Sequence, residues 1–134
     1  MTMARKQFAA GLVGLMALAA AAVAGVAIQD GGRASGPVHE IRLVVRNMTY
    51  YVEGNSEPNP TLPLRRGERV RLRLRNDDPG MIHDFAVAAW NVGTPSLTAG
   101  EEARLDFTVP DAAGASPYAC TPHGQTMRGT MTVE

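Results

Sequence analysis

The chain has 134 residues, 13 basic and 13 acidic side chains, three His and one Cys. That length holds one domain with a modest core, and zero net charge argues against a nucleic-acid binder, which needs a basic surface. A single Cys excludes an internal disulfide and any zinc or iron–sulfur site built from several thiolates.

Arg5 and Lys6 precede Phe8 to Ile28, a run of 21 residues without a polar side chain, nine of them Ala and three Gly. A basic start before such a run reads as a secretory signal or an N-terminal membrane anchor over residues 1–28. Ala22-Val23-Ala24 before Gly25 suits cleavage, and the full run is also long enough to span a bilayer. Either way, Arg5 and Lys6 stay cytoplasmic and everything after Ile28 is exported. The destination is the periplasm or the outer face of the cytoplasmic membrane, with attachment through residues 8–28 if the run is retained. Residues 25–134 carry 11 basic against 13 acidic side chains, a charge of −2. In an oxidising compartment a lone Cys calls for a reason.

Residues 29–37 (QDGGRASGP) are small, polar and Gly-rich, the composition of a flexible linker. The folded domain is expected over 38–134, and its strands follow in order. Ile41 to Val45 is a strand, and Met48 to Val52 is expected to continue it after a bend. Val70 to Arg75 alternates strictly between apolar and Arg, the clearest strand in the chain. Phe85 to Ala88 and Ala103 to Val109 follow, then Tyr118 to Cys120 and Gly129 to Val133. Turn signals fall at Glu57 to Pro60, Arg66-Gly67, Asn76 to Gly80, Thr98 to Gly100 and Pro110 to Gly114. Six to eight short strands in this span predict an all-β fold, an antiparallel sandwich or a small barrel.

One segment concentrates donor chemistry: Cys120-Thr-Pro-His123-Gly-Gln-Thr-Met127-Arg-Gly129, a loop between two strands. A second input is His83, at the start of an earlier strand. One Cys, two His and one Met form the ligand set of a mononuclear copper electron-transfer centre, a trigonal His₂Cys plane with a weak axial Met. The thiolate is a covalent donor, the imidazoles suit both oxidation states, and the soft thioether favours Cu(I). Cys120, His123 and Met127 can turn back onto one ion, while His83 must be brought in by the fold.

These residues, with the all-β pattern, resemble the cupredoxins, the plastocyanin and azurin type of small blue copper protein. The resemblance covers roughly Val38 to Glu134 and implies an eight-stranded Greek-key β-sandwich with one copper ion at one end. It also implies shuttling of single electrons between redox partners, and the chain is expected to be a monomer with transient protein partners and not itself an enzyme. His83, Cys120, His123 and Met127 fall on the family's ligand positions, with His123 nearest the surface. The family often has Asn after the first ligand His, where this chain has Asp84. Its side chain is expected to accept from the Thr121 hydroxyl and to lower the reduction potential by its charge.

Other readings of the same residues are an inert buried thiol at Cys120, a Cys120–His123 nucleophilic pair, and a copper trafficking or storage protein holding Cu(I) through Met81, His83, Met127 and Met131. Met131 lies at an alternating strand position and is expected in the core. His39 reads as an exposed His and Trp90 as packing. Arg65, Arg66, Arg69, Arg71, Arg73 and Arg75 read as a solvent face, with Glu102, Arg104 and Asp106 able to pair with it across strands. Pro79, Gly80, Met81 and Pro122 are candidates for an apolar docking rim.

Overall fold

A computed structural model describes residues 36–134. The expected signal or anchor over 1–28 lies outside the described residues, as does most of the 29–37 linker. Nine strands occur among the described residues: β1 (Val38–Arg46), β2 (Thr49–Val52), β3 (Thr61–Leu64), β4 (Arg69–Asn76), β5 (Ala86–Val87), β6 (Val92–Gly93), β7 (Glu102–Thr108), β8 (Gly114–Ala119) and β9 (Arg128–Val133). They form two sheets, ordered β2-β1-β4-β7 and β3-β9-β8-β5-β6, stacked as a Greek-key β-sandwich.

Alternation decides which side chains meet between the sheets. In β4, Val70, Leu72 and Leu74 are at most 1% exposed, while the intervening Arg residues face outward. Ile41, Leu43 and Val45 of β1 line the same inner face, and Leu62, Leu64, Val87, Met131 and Val133 answer from the second sheet. Three rings fill the end of this core: Tyr50 packs edge-on against Phe85 at 6.0 Å and Tyr118 at 5.4 Å, and Phe85 stacks on Tyr118 at 5.1 Å.

Two of the outward Arg residues, Arg71 and Arg73, are ion-paired across to β7, and Arg75 pairs with Asp77 two residues along the chain. Arg71 reaches Asp106 at 3.0 Å, Arg73 reaches Glu102 at 3.1 Å, and Arg75 reaches Asp77 at 2.8 Å. The solvent-face reading of β4 and its pairing with β7 therefore hold. His39 is exposed as expected, but it has a partner, Glu68 at 3.0 Å. Trp90 packs on Phe107 at 6.0 Å.

Three expectations are corrected. The sheets are mixed: β1 pairs parallel with β4, and β3 parallel with β9. After the β1–β2 hairpin the chain crosses to β3 in the other sheet, so it re-enters beside β1 in β1's own direction. Second, Met48 to Val52 does not extend the first strand. Asn47 (φ 49°) and Met48 (φ 58°) make a two-residue turn with positive φ, and β2 folds back antiparallel on β1. Third, the strand expected over Phe85 to Ala88 is only Ala86–Val87, because a 3₁₀ turn begins at Ala88. Two short strands, β3 and β6, carry no clear sequence signal. Pro63 sits in β3, which tolerates it because β3 is an edge strand with only β9 beside it.

Candidate metal centre

Three loops supply the site. The segment after β4 carries His83, the β8–β9 loop carries Cys120 and His123, and the β1–β2 turn packs against the first of these through Asp78.

His83 is fully buried, and its backbone is locked by two hydrogen bonds with Leu97, N–H to O at 3.0 Å one way and 2.7 Å the other. Asn76, also fully buried, holds the loop before it. Its Nδ2 donates to the carbonyls of Met81 and Leu97, both at 2.9 Å, and its Oδ1 accepts from the Asp78 N–H at 2.9 Å. This side chain is satisfied in every direction, as burial requires.

Cys120 follows β8 directly and is fully buried. Its N–H donates to Met127 O at 3.0 Å, while the N–H of His123 donates to Cys120 O at 3.2 Å and that of Met127 to His123 O at 2.9 Å. The loop is thus closed on itself with both its Cys and its Met ends tied. Met127 and Met131 are fully buried, Met131 as the core residue expected of it. His123 is half-buried, more open than His83 or Cys120.

The side chains converge. Sγ of Cys120 lies 3.8 Å from Nδ1 of His83 and 3.5 Å from Nδ1 of His123. The three donor atoms all lie within 4.8 Å of one another, and the two rings are 5.0 Å apart. A first-row metal held at about 2.0 Å by imidazole and about 2.3 Å by thiolate needs these N and S donors roughly 3.5–3.7 Å apart. The two N–S separations match that spacing to about 0.1 Å. Burial pushes the Cys120 thiol above its ordinary range, so the metal-free site keeps its proton until a metal displaces it.

Neighbouring groups hold the donors in place. Oδ1 of Asp84 accepts the Thr121 N–H at 2.6 Å, tying the two ligand-bearing loops together. The tie was expected, but through the Thr121 hydroxyl; the backbone N–H makes it instead. Tyr50 donates its hydroxyl to the Asp84 carbonyl, and burial drives that phenol far above its usual range. Asp78, 7% exposed, was not singled out in the sequence. Its Oδ2 accepts from His83 Nε2 at 3.0 Å and from the Met48 N–H at 2.9 Å. The Met48 N–H and His83 together hold its carboxyl below the usual carboxylate range.

No protein-family model matches the sequence, and no curated protein matches it. Solved structures do. Auracyanin A, described as a "blue" copper protein from Chloroflexus aurantiacus, superposes with a TM-score of 0.55 at 18% identity, over 73% of this chain and 100% of that one. Reduced rusticyanin superposes with a TM-score of 0.56 at 23% identity, over 75% of this chain and 81% of its own. The chain has the cupredoxin fold. The same fold recurs within larger proteins: Fet3p, a multicopper oxidase that functions in iron import, matches 73% of this chain at TM-score 0.57 and 19% identity, but over only 23% of its own length. Within this cupredoxin fold, His83, Cys120 and His123 come together at one end of the sandwich, and Met127 closes the loop that bears two of them.

Proposed function

We propose that the chain is an exported type 1 copper protein that carries single electrons between protein partners and is not itself an enzyme. In this reading residues 1–28 are a signal or anchor, 29–37 a linker and 38–134 the copper domain. His83, Cys120 and His123 form the equatorial set, and Met127 is the axial ligand. The observation that carries it is the convergence of two imidazole nitrogens and one thiol sulfur within 4.8 Å. Auracyanin A, of the same fold, is a blue copper protein, which supports copper over other ions. Two nitrogens and a thiolate also suit copper by donor softness.

Copper held there would supply a one-electron couple. The residues supply its rigidity. Buried His83, fixed by Leu97 and Asp78, and Cys120, fixed by Met127, have little room to move when the charge changes. His123 is the half-buried ligand and so the exit to a partner. Pro79, Gly80 and Pro122 are exposed beside it in sequence or on the His83 loop, Met81 is half-buried, and Ile82 is 52% exposed. These form the apolar rim for brief docking.

Voltammetry of the copper-loaded protein tests this. A reversible one-electron wave, little changed by repeated cycling, is expected. A site that holds Cu(I) but releases copper on oxidation would contradict it and favour the trafficking reading.

A further inference from the structure

Asp78 is a buried carboxylate that touches a candidate ligand. An ionised carboxylate can only accept hydrogen bonds, so His83 Nε2, 3.0 Å from Asp78 Oδ2, must be the nitrogen that carries the proton. In the neutral imidazole that binds a metal, Nδ1 is then left with its lone pair, and Nδ1 is the atom that faces Cys120 Sγ at 3.8 Å. The same oxygen also accepts the N–H of Met48 at 2.9 Å. Met48 is a non-glycine residue at φ 58°, in a turn position where Gly is the usual occupant. The carboxylate therefore anchors the β1–β2 turn with one bond and the imidazole with the other. Asn76 Oδ1, accepting from the Asp78 N–H, fixes where that carboxylate stands.

We propose that Asp78 is a positioning residue for the metal centre: it holds His83 in the Nε2–H tautomer with Nδ1 presented to the metal, and its charge favours the higher oxidation state. This rests on the copper reading above. A carboxylate on the far nitrogen of a ligating imidazole strengthens that imidazole as a donor, and losing such a partner typically weakens metal binding about 10–100-fold. The gain is larger for Cu(II) than for Cu(I), because the doubly charged ion draws more on a basic donor.

The test compares wild type, Asp78→Asn and Asp78→Ala at one fixed pH, with two readouts. The first uses metal-free protein: nitrogen–proton correlation spectra of the His83 ring. Wild type and Asp78→Asn should show the proton on Nε2, since an amide oxygen still accepts there, and Asp78→Ala should lose that preference. The second is competition for Cu(II) and for Cu(I) against chelators of known affinity. Asp78→Asn should bind Cu(II) about 10–100-fold more weakly with a smaller change for Cu(I). Each tenfold loss confined to Cu(II) raises the reduction potential by about 59 mV. If Asp78→Ala does not fold, Asp78→Asn still decides. Wild-type His83 carrying its proton on Nδ1, or Asp78→Asn with unchanged Cu(II) affinity, would overturn the proposal. Failure of wild type to bind Cu(II) would refute the copper reading instead, while the metal-free spectra still decide the positioning role.

Discussion

Gly129, two residues beyond Met127, stands opposite Tyr118 in the β8–β9 ladder. A Cβ built there falls on the Tyr118 ring, closer to Cζ and Oη than non-bonded carbons approach and 2.7 Å from Cε1. The ring cannot yield cheaply. Tyr118 is fully buried, stacked on Phe85 at 5.1 Å and packed against Tyr50 at 5.4 Å, and its hydroxyl donates to the Pro60 carbonyl at 2.6 Å. Gly129→Ala must therefore overpack the core, costing about 1–3 kcal/mol, or expel the ring and lose its burial, about 1.5–3 kcal/mol, with a hydrogen bond worth about 1 kcal/mol. A loss of about 3 kcal/mol in a domain of this size lowers the melting temperature by roughly 12–24 °C. The assay is thermal unfolding of metal-free protein, with Gly36→Ala as the control, since a Cβ there meets nothing within 4 Å. Combining Gly129→Ala with Tyr118→Ala should cost clearly less than the sum of the two, because the second change removes what the first collides with. A Gly129→Ala protein melting within about 3 °C of wild type would show that no such collision occurs, as would strict additivity in the double variant.

Asn76→Ala should destabilise the metal-free domain by about 2–4 kcal/mol, because it strands the buried Asp78 N–H and the Met81 carbonyl; urea unfolding measures it, and a change under about 0.5 kcal/mol contradicts it. The carboxyls of Asp77, Glu101 and Asp106 are held below their ordinary range, by Arg75, by the Thr98 N–H and by Arg104 in turn. Their contribution is present above the unfolded carboxylate pKa near 4 and is lost as pH falls through the lower folded values. The urea midpoint should thus hold from about pH 7 to 5 and decline below about pH 4; a midpoint flat to about pH 2 would count against these interactions. Asp84→Asn keeps an oxygen for the Thr121 N–H while removing a charge, so the copper protein should stay folded and its reduction potential should rise; an unchanged or lower potential would show that the charge does not act on the centre.

What could be read beforehand tracks how local each signal is. Val70 to Arg75 and Ala103 to Val109 alternate strictly, so β4, β7 and their inward faces were legible from periodicity, while the register that sets Arg71 opposite Asp106 came only with the fold. The hairpin after β1 was not, because its turn is Asn47-Met48 and lacks the Gly that marks such turns; the Met48 backbone is held instead by Asp78, 30 residues away. The short strand Thr61–Leu64 hid behind Pro63, whose place at a sheet edge only the topology reveals. In the site, His83, Cys120 and His123, and Met127 as the proposed fourth ligand, stood out because few residue types carry that chemistry. Asp78 and Asn76 did not, since a carboxylate and an amide in a turn sequence look like ordinary turn formers until the fold buries them. The Asp84 tie was anticipated, but with the wrong donor: a hydroxyl and an N–H of the same residue cannot be told apart by sequence.

In the proposed function Cys120, His83 and His123 hold one copper ion together. The direct measurement is an absorption spectrum of the purified protein titrated with Cu(II), beside Cys120→Ser. An intense blue thiolate-to-copper band that saturates at one equivalent and is absent from the variant is expected. A colourless, weakly bound Cu(II) form of the wild type, or a band that survives Cys120→Ser, would contradict it.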